Sequence, residues 1–412
     1  MAQQKGINYQ DVKQKNKLLV LKCIATSNGI SRVAIADATG LSKMTVGNIV
    51  TELMEEMYVS EEGNSASNSA VGRRPVQLTL SSASPVVCGI LIKRYVCQII
   101  LSDLSGIVID TESFVIHQCS GDKLITDMLS SFKKIQARSQ RPICYIGISS
   151  LGPINAAEGK ILRPPFFYNI SDLPLVSRFE QETGLPTALI HDANAGALAE
   201  LLYGLGKNIH NYVYLHIWNG IGAGIVINGN IYGGDSGQSG EIGHTSINYS
   251  GPLCDCGNHG CLDLYASIEN MQRDIIELST IYSSSPLVRI NSPSWEQIVS
   301  AASTGDSLGL VVLDRFCSYI SFALVNTLNL LNISTIIVGY PNPMNVPIVE
   351  KLMQPKLQHS LQASVGGEIR ILHSSFRDAA PLIGSVAVIA DRVFSGELPL
   401  PDYHRSPSSS LS

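Results

Sequence analysis

The 412-residue chain lacks the features that would direct it out of the cytoplasm. The segment from Met1 to Asp11 is polar and has no apolar run of the signal-peptide type, and no stretch elsewhere approaches eighteen uninterrupted apolar residues. The cysteines number nine, an odd count. We therefore expect a cytoplasmic protein with reduced thiols and no membrane-spanning segment.

The composition excludes an intrinsically disordered chain, because 45% of the residues are hydrophobic. The length is enough for two or three domains, each with its own core. The net charge of −5 is uneven: residues 1–80 contain nine Lys/Arg against seven Asp/Glu, or +2, which leaves −7 for the remainder. A mildly basic N-terminal module on an acidic body suggests a polyanionic partner at the N-terminus only.

Three of the cysteines form a compact motif. Cys254, Cys256 and Cys261 fall within eight residues, and a Glu-Ile-Gly-His run ends at His244, ten positions upstream of the first. Zinc takes four ligands in a tetrahedron, so three thiolates need one imidazole. Glycines between the cysteines let so short a loop bend around an ion. The motif predicts a closed, structural Zn²⁺ site rather than a catalytic one.

Two histidines compete for the fourth ligand position. His259 lies inside the cysteine loop, where so tight a ring is hard to close, whereas His244 comes from a preceding element and is the ligand that we favour. The alternative is a set of buried, reduced thiols, which we expect for the six scattered cysteines. These six are Cys23, Cys88, Cys97, Cys119, Cys144 and Cys317.

The N-terminal segment has helix-turn-helix spacing. An apolar helical face begins near Asn16 and ends before Gly29. Ser31 can cap a second helix, Gly40 can make a tight turn, and Ser42 can cap a third helix that runs to about residue 56. Each residue type fits its place in a helix-turn-helix.

The solvent face of the third helix carries short polar groups suited to phosphate and base-edge contacts in a DNA major groove. The candidate DNA-binding residues of this helix are Ser42, Lys43, Thr45 and Asn48. The alternative is a helical hairpin that packs on the rest of the protein.

Two predicted strands follow, around a Ser/Asn-rich tip that extends from Gly63 to Ala70. A glycine and a proline flank Arg73 and Arg74 beyond this tip, and these arginines could reach phosphates or a minor groove. This arrangement is typical of a wing, although a basic linker is the alternative. We predict a winged helix-turn-helix DNA-binding domain at residues 1–82.

The body of the chain, residues 83–398, alternates short apolar strands with helical stretches, which is typical of an α/β fold, here of two lobes with a cleft. A mobile tail is expected at 399–412. The predicted strands are 87–91, 96–101, 106–110, 144–148, 187–190, 212–217 and 222–227, with helices near 195–203 and 316–331.

Three loops that follow strands are rich in glycine or carboxylate. Asp192 follows the strand at 187–190 and opens a helix, a usual place for a ligand. The glycines of 220–224 allow a close backbone approach, and the loop 233–241 ends at Glu241 and leads into the cysteine motif. Taken singly, such loops are ordinary turns more often than ligand sites. Their order along one chain is a far more specific indication of a ligand site.

Four motifs carry a family resemblance. They are Gly72-Arg73-Arg74-Pro75, His191-Asp192-Ala193-Asn194-Ala195-Gly196, Gly240-Glu241-Ile242-Gly243-His244 and Cys254-x-Cys256-Gly257-x-x-Gly260-Cys261-Leu262-Asp263. In this order, behind a winged module, they resemble the ROK family of repressors and sugar kinases, and within it the transcriptional regulators typified by xylose repressors. The resemblance extends from about Lys15 to Arg392. It implies a two-lobed, actin-like and sugar-kinase-like body with a structural zinc site.

The resemblance also implies a sugar site in the cleft. The matching positions are Asn169, Asp192, Glu241, His244 and Asp263. His244 would give one ring nitrogen to zinc and offer the other to a sugar oxygen. The chain departs from the family at His191, where asparagine is frequent, and at Asp263, which replaces the usual glutamate. Either departure could change which sugar is preferred.

In family kinases the aspartate that matches Asp192 is the general base, but here the ATP-binding pattern is damaged at three places. The phosphate loop Asp-x-Gly-Gly-Thr is replaced by Leu91-Ile92-Lys93-Arg94-Tyr95, Gly-Thr-Gly by Trp218-Asn219-Gly220, and a nucleotide-binding Gly-Gly by Gly339-Tyr340. Because phosphoryl transfer depends on holding and neutralising the phosphates, we expect binding without turnover, and hence no enzyme.

The sequence thus predicts a cytoplasmic, sugar-responsive repressor of carbohydrate-metabolism genes, with xylose metabolism suggested by the resemblance. Its expected partners are double-stranded operator DNA, a small sugar and one or three further copies of itself, and no membrane. One rival is an ATP-dependent sugar kinase of the ROK family. Another is a protein-interaction module in which both sites are vestigial, which would show neither a sugar-dependent thermal shift nor salt-sensitive DNA binding.

Overall fold

The structure, a computed structural model, describes residues 9–62, 76–165, 167–218, 220–365 and 368–400. The chain divides into two compact units. The first comprises Met1–Ile148, Pro174–Leu189 and Ser385–Ser412, and the second comprises Ser149–Leu173 and Ile190–Gly384. The predicted domain boundary between residues 82 and 83 lies inside the first unit and stays a prediction. Most of the predicted tail, residues 401–412, lies outside the described residues.

The three predicted N-terminal helices are present, although the first begins earlier than residue 16. The elements are α1 (Tyr9–Ala25), α2 (Arg32–Thr39), α3 (Lys43–Glu55), β1 (Val59–Glu62) and β2 (Gln77–Leu80). The hydroxyl of Ser31 accepts a hydrogen bond from the Ala34 amide at 3.2 Å and so caps α2. Gly40, with φ 70°, ends that helix. β1 and β2 pair in antiparallel register, Val59 opposite Leu80.

An apolar face and one buried ammonium hold α3 in place. Val46, Ile49, Val50 and Leu53 of α3 are buried. Lys17 of α1 is 6% exposed, and its Nζ lies 2.9 Å from Glu52 Oε1 and 2.6 Å from Glu56 Oε1 on α3. The burial of this lysine makes its two carboxylate partners obligatory, since an unpaired buried charge is strongly destabilising. These two ion pairs therefore link α1 to α3.

The next part of the chain builds a five-stranded sheet of order β5-β4-β3-β6-β9. The elements in chain order are β3 (Val86–Ile92), β4 (Val96–Ser102), β5 (Val108–Val115), α4 (Gly121–Arg138), β6 (Ile143–Ser150), β7 (Ile154–Asn155), β8 (Lys160–Ile161), α5 (Leu175–Thr183), β9 (Thr187–His191) and α6 (Asp192–Tyr203). All seven residues of β3 are buried. The strand predicted at 106–110 begins two residues later and continues to Val115.

The second unit contains another five-stranded sheet, of order β12-β11-β10-β13-β14. Its elements are β10 (Tyr212–Trp218), β11 (Gly220–Ile227), β12 (Asn230–Ile231), α7 (Ile268–Leu278), α8 (Trp295–Ser303), α9 (Ser307–Leu331), β13 (Thr335–Gly339), α10 (Ile348–Val365), β14 (Arg370–His373) and α11 (Ala380–Ser395), the last of which ends in the first unit. β10 pairs with β11 antiparallel and with β13 parallel. This mixture agrees with the predicted α/β class.

The helix predicted at 316–331 starts nine residues earlier, where Asp306 accepts a hydrogen bond from the Gly309 amide at 2.8 Å and caps α9. Among the described residues, α9 is the one helix long and apolar enough to cross a membrane. Of its most apolar window, 56% is buried inside the protein. Phe316, Ile320 and Leu324 belong to the core of the second unit, as expected for a core helix of a globular protein.

Candidate sugar and metal site

All five residues of the predicted sugar site lie in the second unit. Asp192 is the first residue of α6, and its Oδ1 accepts a hydrogen bond from the Ala193 amide at 2.7 Å. The positive end of the helix dipole stabilises a carboxylate at this position. Its side chain is 22% exposed, so the carboxylate is reachable by a ligand.

His191 connects two of the predicted carboxylates, a contact that the sequence did not reveal. The imidazole Nδ1 lies 3.6 Å from Asp192 Oδ1, and Nε2 lies 3.4 Å from Glu241 Oε1. The His191 side chain is 5% exposed, whereas that of Glu241 is 37% exposed. The imidazole ring is therefore buried, whereas both carboxylates remain partly exposed to solvent.

Asp263 is anchored on a neighbouring strand. Its Oδ1 accepts a hydrogen bond from the Ile221 amide at 3.1 Å. A side chain at Gly243 would collide with the same carboxylate, since a Cβ there would lie 2.5 Å from Oδ1. Asn169 adopts a left-handed backbone with φ 57°. Within the described residues, no hydrogen bond or ion pair joins it to the other four site residues.

The glycines of 220–224 have a different role from the ligand approach that the sequence suggested. A Cβ on Gly222 would lie 3.0 Å from the Cβ of Ala193, and one on Gly224 would strike the Ala193 carbonyl oxygen. Gly222 and Gly224 thus let β11 approach the start of α6. A Cβ on Gly220 would lie 3.8 Å from Asp263 Oδ2, so of these three glycines Gly220 alone borders one of the five residues of the predicted sugar site.

The four predicted metal ligands converge. The ligand atoms of His244, Cys254, Cys256 and Cys261 all lie within 4.8 Å of one another. His244 Nδ1 is 3.7 Å from Cys254 Sγ, and Cys256 Sγ is 3.5 Å from Cys261 Sγ. A tetrahedron with Zn–S bonds of about 2.3 Å has edges of roughly 3.8 Å. The donor set and its spacing therefore fit a closed zinc site.

The competing histidine points elsewhere. The Nδ1 atom of His259 lies 3.2 Å from the Gly251 carbonyl oxygen, and His259 does not belong to the four-residue group. The two loop glycines, which the sequence suggested let the loop bend, have a left-handed backbone, with φ 88° at Gly257 and 64° at Gly260. A Cβ on Gly260 would strike the Asn248 carbonyl oxygen, so this position of the loop has no room for a side chain.

The thiols differ electrostatically before any metal binds. Burial, with the neighbouring thiols, raises the pKa of Cys261 to about 12. Burial acts in the same direction on Cys256, but hydrogen bonds from the Asn258 backbone and the other thiols outweigh it and lower its pKa. Zinc binding deprotonates cysteine ligands, so it would release protons here.

The sequence model of the ROK family matches residues 88–392. The chain belongs to the ROK family.

Its ROK relatives include proteins named as transcriptional repressors. The xylose repressor of Bacillus subtilis (strain 168) is 31% identical over 383 residues, which cover 92% of this chain and 96% of the relative. The DNA-binding transcriptional repressor Mlc of Escherichia coli (strain K12) is 25% identical over 97% of this chain and 98% of its own. These matches include the N-terminal module that precedes the ROK segment.

Solved structures agree with this fold. A ROK family transcriptional regulator, a homologue of Escherichia coli Mlc, superposes with a TM-score of 0.74 at 27% identity and covers 93% of this chain and 97% of its own. A ROK family glucokinase from Streptomyces griseus, in complex with glucose and AMPPNP, gives a TM-score of 0.62 at 21% identity, over 74% of this chain and 98% of its own. The kinase comparison shows the shared fold alone.

At the positions of the ROK nucleotide motifs, the structure shows packed side chains. Tyr340, in place of the second glycine of the Gly-Gly pair, is fully buried. Its hydroxyl donates to Glu350 Oε2 at 2.8 Å, and its ring meets Trp295 and His373 edge-on at 6.0 and 5.1 Å between centroids. Desolvation raises the pKa of Tyr340 well above its ordinary range.

The first ROK phosphate loop is replaced by a tight hairpin. The Lys93 amide donates to the Val96 carbonyl at 2.9 Å between β3 and β4, and the Lys93 side chain is buried. In the second loop, Trp218 ends β10 and pairs with Gly220 on β11, while Asn219 lies outside the described residues. In the first hairpin the Lys93 amide is therefore already paired with a backbone carbonyl.

The predicted DNA-binding residues divide into three groups. Ser42 is exposed but its hydroxyl caps α3, accepting from the Thr45 amide at 3.1 Å and contacting the Thr45 hydroxyl at 2.8 Å. Lys43 and Asn48 are exposed and Thr45 is half-buried. Arg73 and Arg74 lie outside the described residues. Met44, which the sequence did not single out, is 76% exposed on the same helix.

Proposed function

We propose that this protein is a sugar-responsive DNA-binding repressor of carbohydrate-metabolism genes. The observation that carries the proposal is the pairing of two modules in one chain: a capped three-helix module with a β-hairpin at the N-terminus, and a ROK body with a carboxylate-rich site. Relatives that align over both modules have the names xylose repressor and N-acetylglucosamine repressor. A pentose or hexose is therefore the effector class that we favour.

The N-terminal module would act as a winged helix-turn-helix. α3 would enter the major groove with Lys43 and Asn48 as its exposed polar contacts, and Thr45 and Ser42 at its N-terminal end. Arg73 and Arg74 would contribute from the wing. Helix-turn-helix proteins read two half-sites as dimers, so we propose a homodimer or homotetramer in the cytoplasm on near-palindromic, double-stranded operator DNA.

The effector site would consist of Asn169, Asp192, Glu241, His244 and Asp263. Carboxylates and amides match the hydroxyl groups of a sugar, because they accept and donate hydrogen bonds in fixed directions. Zn²⁺ would be held by His244, Cys254, Cys256 and Cys261 and would supply no chemistry beyond fixing the loop. The proximity of His244 Nδ1 to the thiols leaves Nε2 for the sugar.

Sugar binding would lower the affinity for operator DNA. A ligand shifts a two-state equilibrium only by its differential affinity for the two states, and a hundredfold preference supplies about 2.7 kcal/mol. We therefore propose induction by release from DNA, with tighter DNA binding in the presence of the sugar as the alternative.

The second candidate function is an ATP-dependent sugar kinase, favoured by the position of Asp192 at the head of α6, where the general base of a ROK kinase would lie. Against it, phosphate binding needs exposed backbone amides and cations. Tyr340 and the Lys93 hairpin occupy these places. We therefore propose no enzymatic activity.

Two matched variants test the proposal. We expect a xylose, glucose or N-acetylglucosamine panel to raise the melting temperature of the wild type and of Asn48→Ala, but not of Asp192→Asn, because only Asp192 lies in the sugar site. Conversely, Asn48→Ala should bind upstream promoter DNA less tightly, and Asp192→Asn should bind it normally. ATP-dependent sugar phosphorylation that Asp192→Asn abolishes would establish the kinase instead.

A further inference from the structure

His191 occupies a special position at the junction of β9 and α6. It is the last residue of the strand and the N-cap residue of the helix, with φ −65° and ψ 140°. N-cap side chains normally accept a hydrogen bond from the first helical turn, but the His191 ring makes no such bond. Its side chain is directed elsewhere, towards Glu241.

The ring spans two carboxylates from separate segments. Nδ1 lies 3.6 Å from Asp192 Oδ1 on α6, and Nε2 lies 3.4 Å from Glu241 Oε1 in the loop before the metal motif. Both separations exceed an ordinary direct hydrogen bond of about 2.7–3.2 Å. Nδ1 of His191 and Oε1 of Glu241 are buried atoms without a hydrogen-bond partner among the described residues. A contraction of a few tenths of an ångström would bring each ring nitrogen within hydrogen-bond distance of its carboxylate, and a doubly protonated imidazolium ring would donate to both.

The surroundings prevent the ring from moving away. A Cβ on Gly152 would lie 2.6 Å from His191 Nε2 and 3.2 Å from Glu241 Oε1, so the Gly152 backbone lies directly against both groups. On another side, a Cβ on Gly222 would lie 3.9 Å from His191 Cε1. The residue as a whole is 4% exposed. The backbone walls thus hold the imidazole between the two carboxylates.

We propose that His191 is a positioning and specificity-determining residue of the effector site. It acts through Asp192 and Glu241. When a sugar binds, each carboxylate moves into hydrogen-bond distance of one ring nitrogen, so the ring sets the distance between the two carboxylates and their orientation. Only an imidazole offers two nitrogens on opposite sides of one rigid ring. An asparagine side chain is shorter and could reach one carboxylate but not both. This inference rests on the proposed sugar-binding function of the site.

The test is a double-mutant cycle on sugar affinity. Isothermal titration with D-xylose, D-glucose and N-acetyl-D-glucosamine first identifies which sugar the zinc-loaded wild type binds. His191→Asn should lower the affinity for that sugar about tenfold or more, and a tenfold loss corresponds to roughly 1.4 kcal/mol of binding free energy. In a Glu241→Gln background the same change should weaken binding by a clearly smaller factor, because one of the two partners of His191 is already altered. Equal losses in both backgrounds would overturn the proposal.

A spectroscopic measurement on the wild type covers the case in which His191→Asn fails to fold. In ¹⁵N-histidine-labelled protein, both ring nitrogens of His191, assigned with His191→Gln, should shift when the sugar is added. Unchanged ring resonances at saturating sugar would refute the positioning role. If no sugar of the panel binds the wild type, the proposed function of the site fails first; if the wild type binds and His191→Asn binds equally well, only the present inference fails.

Discussion

The Tyr340 hydroxyl and the Glu350 carboxylate form a buried hydrogen bond of 2.8 Å at the place where a ROK kinase would have the second glycine of its nucleotide-binding pair. Glu350 is 5% exposed, and its other oxygen lies 2.7 Å from His373 Nδ1. Each oxygen of the buried Glu350 carboxylate thus has a hydrogen-bond partner, and the loss of one partner is costly. The former nucleotide position has become part of the core.

The first prediction follows from this contact. Tyr340→Phe should lower the free energy of unfolding by about 1–3 kcal/mol, because it removes a donor from a buried carboxylate. The control is Tyr249→Phe, at a residue that is 92% exposed, which should leave stability unchanged. Urea titration measures both. Equal stability of Tyr340→Phe and the wild type would show that the network contributes nothing.

A second prediction concerns the fourth metal ligand. His244→Ala should lose bound zinc, measured as metal per protomer by mass spectrometry after dialysis, because three thiolates alone leave the tetrahedron open. The matched control is His259→Ala, inside the cysteine loop and hydrogen-bonded to the Gly251 carbonyl, which should retain one zinc. The reverse result would make His259 the ligand.

A third prediction separates two kinds of DNA contact on α3. Lys43→Ala should weaken binding to all sequences alike and reduce the slope of log K against log salt by about 1, as for the loss of one phosphate contact. Asn48→Ala should cost about 1–3 kcal/mol on the operator alone if Asn48 reads a base. The control is Lys133→Ala on α4, at an exposed lysine, with no expected effect. Fluorescence anisotropy at several salt concentrations distinguishes the effects of the three variants.

A fourth prediction concerns acid stability of the N-terminal module. Hydrogen bonds from Lys17 and Lys13 lower the pKa of Glu52. A carboxylate with a depressed folded pKa contributes stability that is complete above its unfolded pKa, about 4.3, and is lost as the pH falls through the folded value. Glu52→Gln should therefore be less stable than the wild type at pH 7, with the difference shrinking below about pH 4. A pH-independent difference would assign the loss to packing.

The sequence predicted those features that depend on neighbours in the chain. Ser31 and Ser42 cap the helices predicted for them, because a cap is decided within one turn. The Cys254–Cys261 spacing indicated a compact ligand loop for the same reason. The three N-terminal helices and the strands at 87–91 and 212–217 followed from their apolar patterns.

Features that depend on contacts between distant segments were not predictable. Nothing in the sequence around Gly222 shows whether this glycine packs against a helix or borders a ligand. The position of His191 between Asp192 and Glu241 depends on a residue 50 positions away. The early start of α9 was missed because its first turns contain Gly309 within an apolar run, so the Asp306 cap was the only local signal.

The most direct test of the central claim is a fluorescence-anisotropy titration of the zinc-loaded protein against its own upstream promoter DNA, repeated with a panel of free and phosphorylated sugars. We predict tight, sequence-specific binding that one sugar weakens at least tenfold in the wild type and leaves unchanged in Asp192→Asn. Sequence-specific binding that no sugar alters, or no specific binding under any condition, would contradict a sugar-responsive repressor.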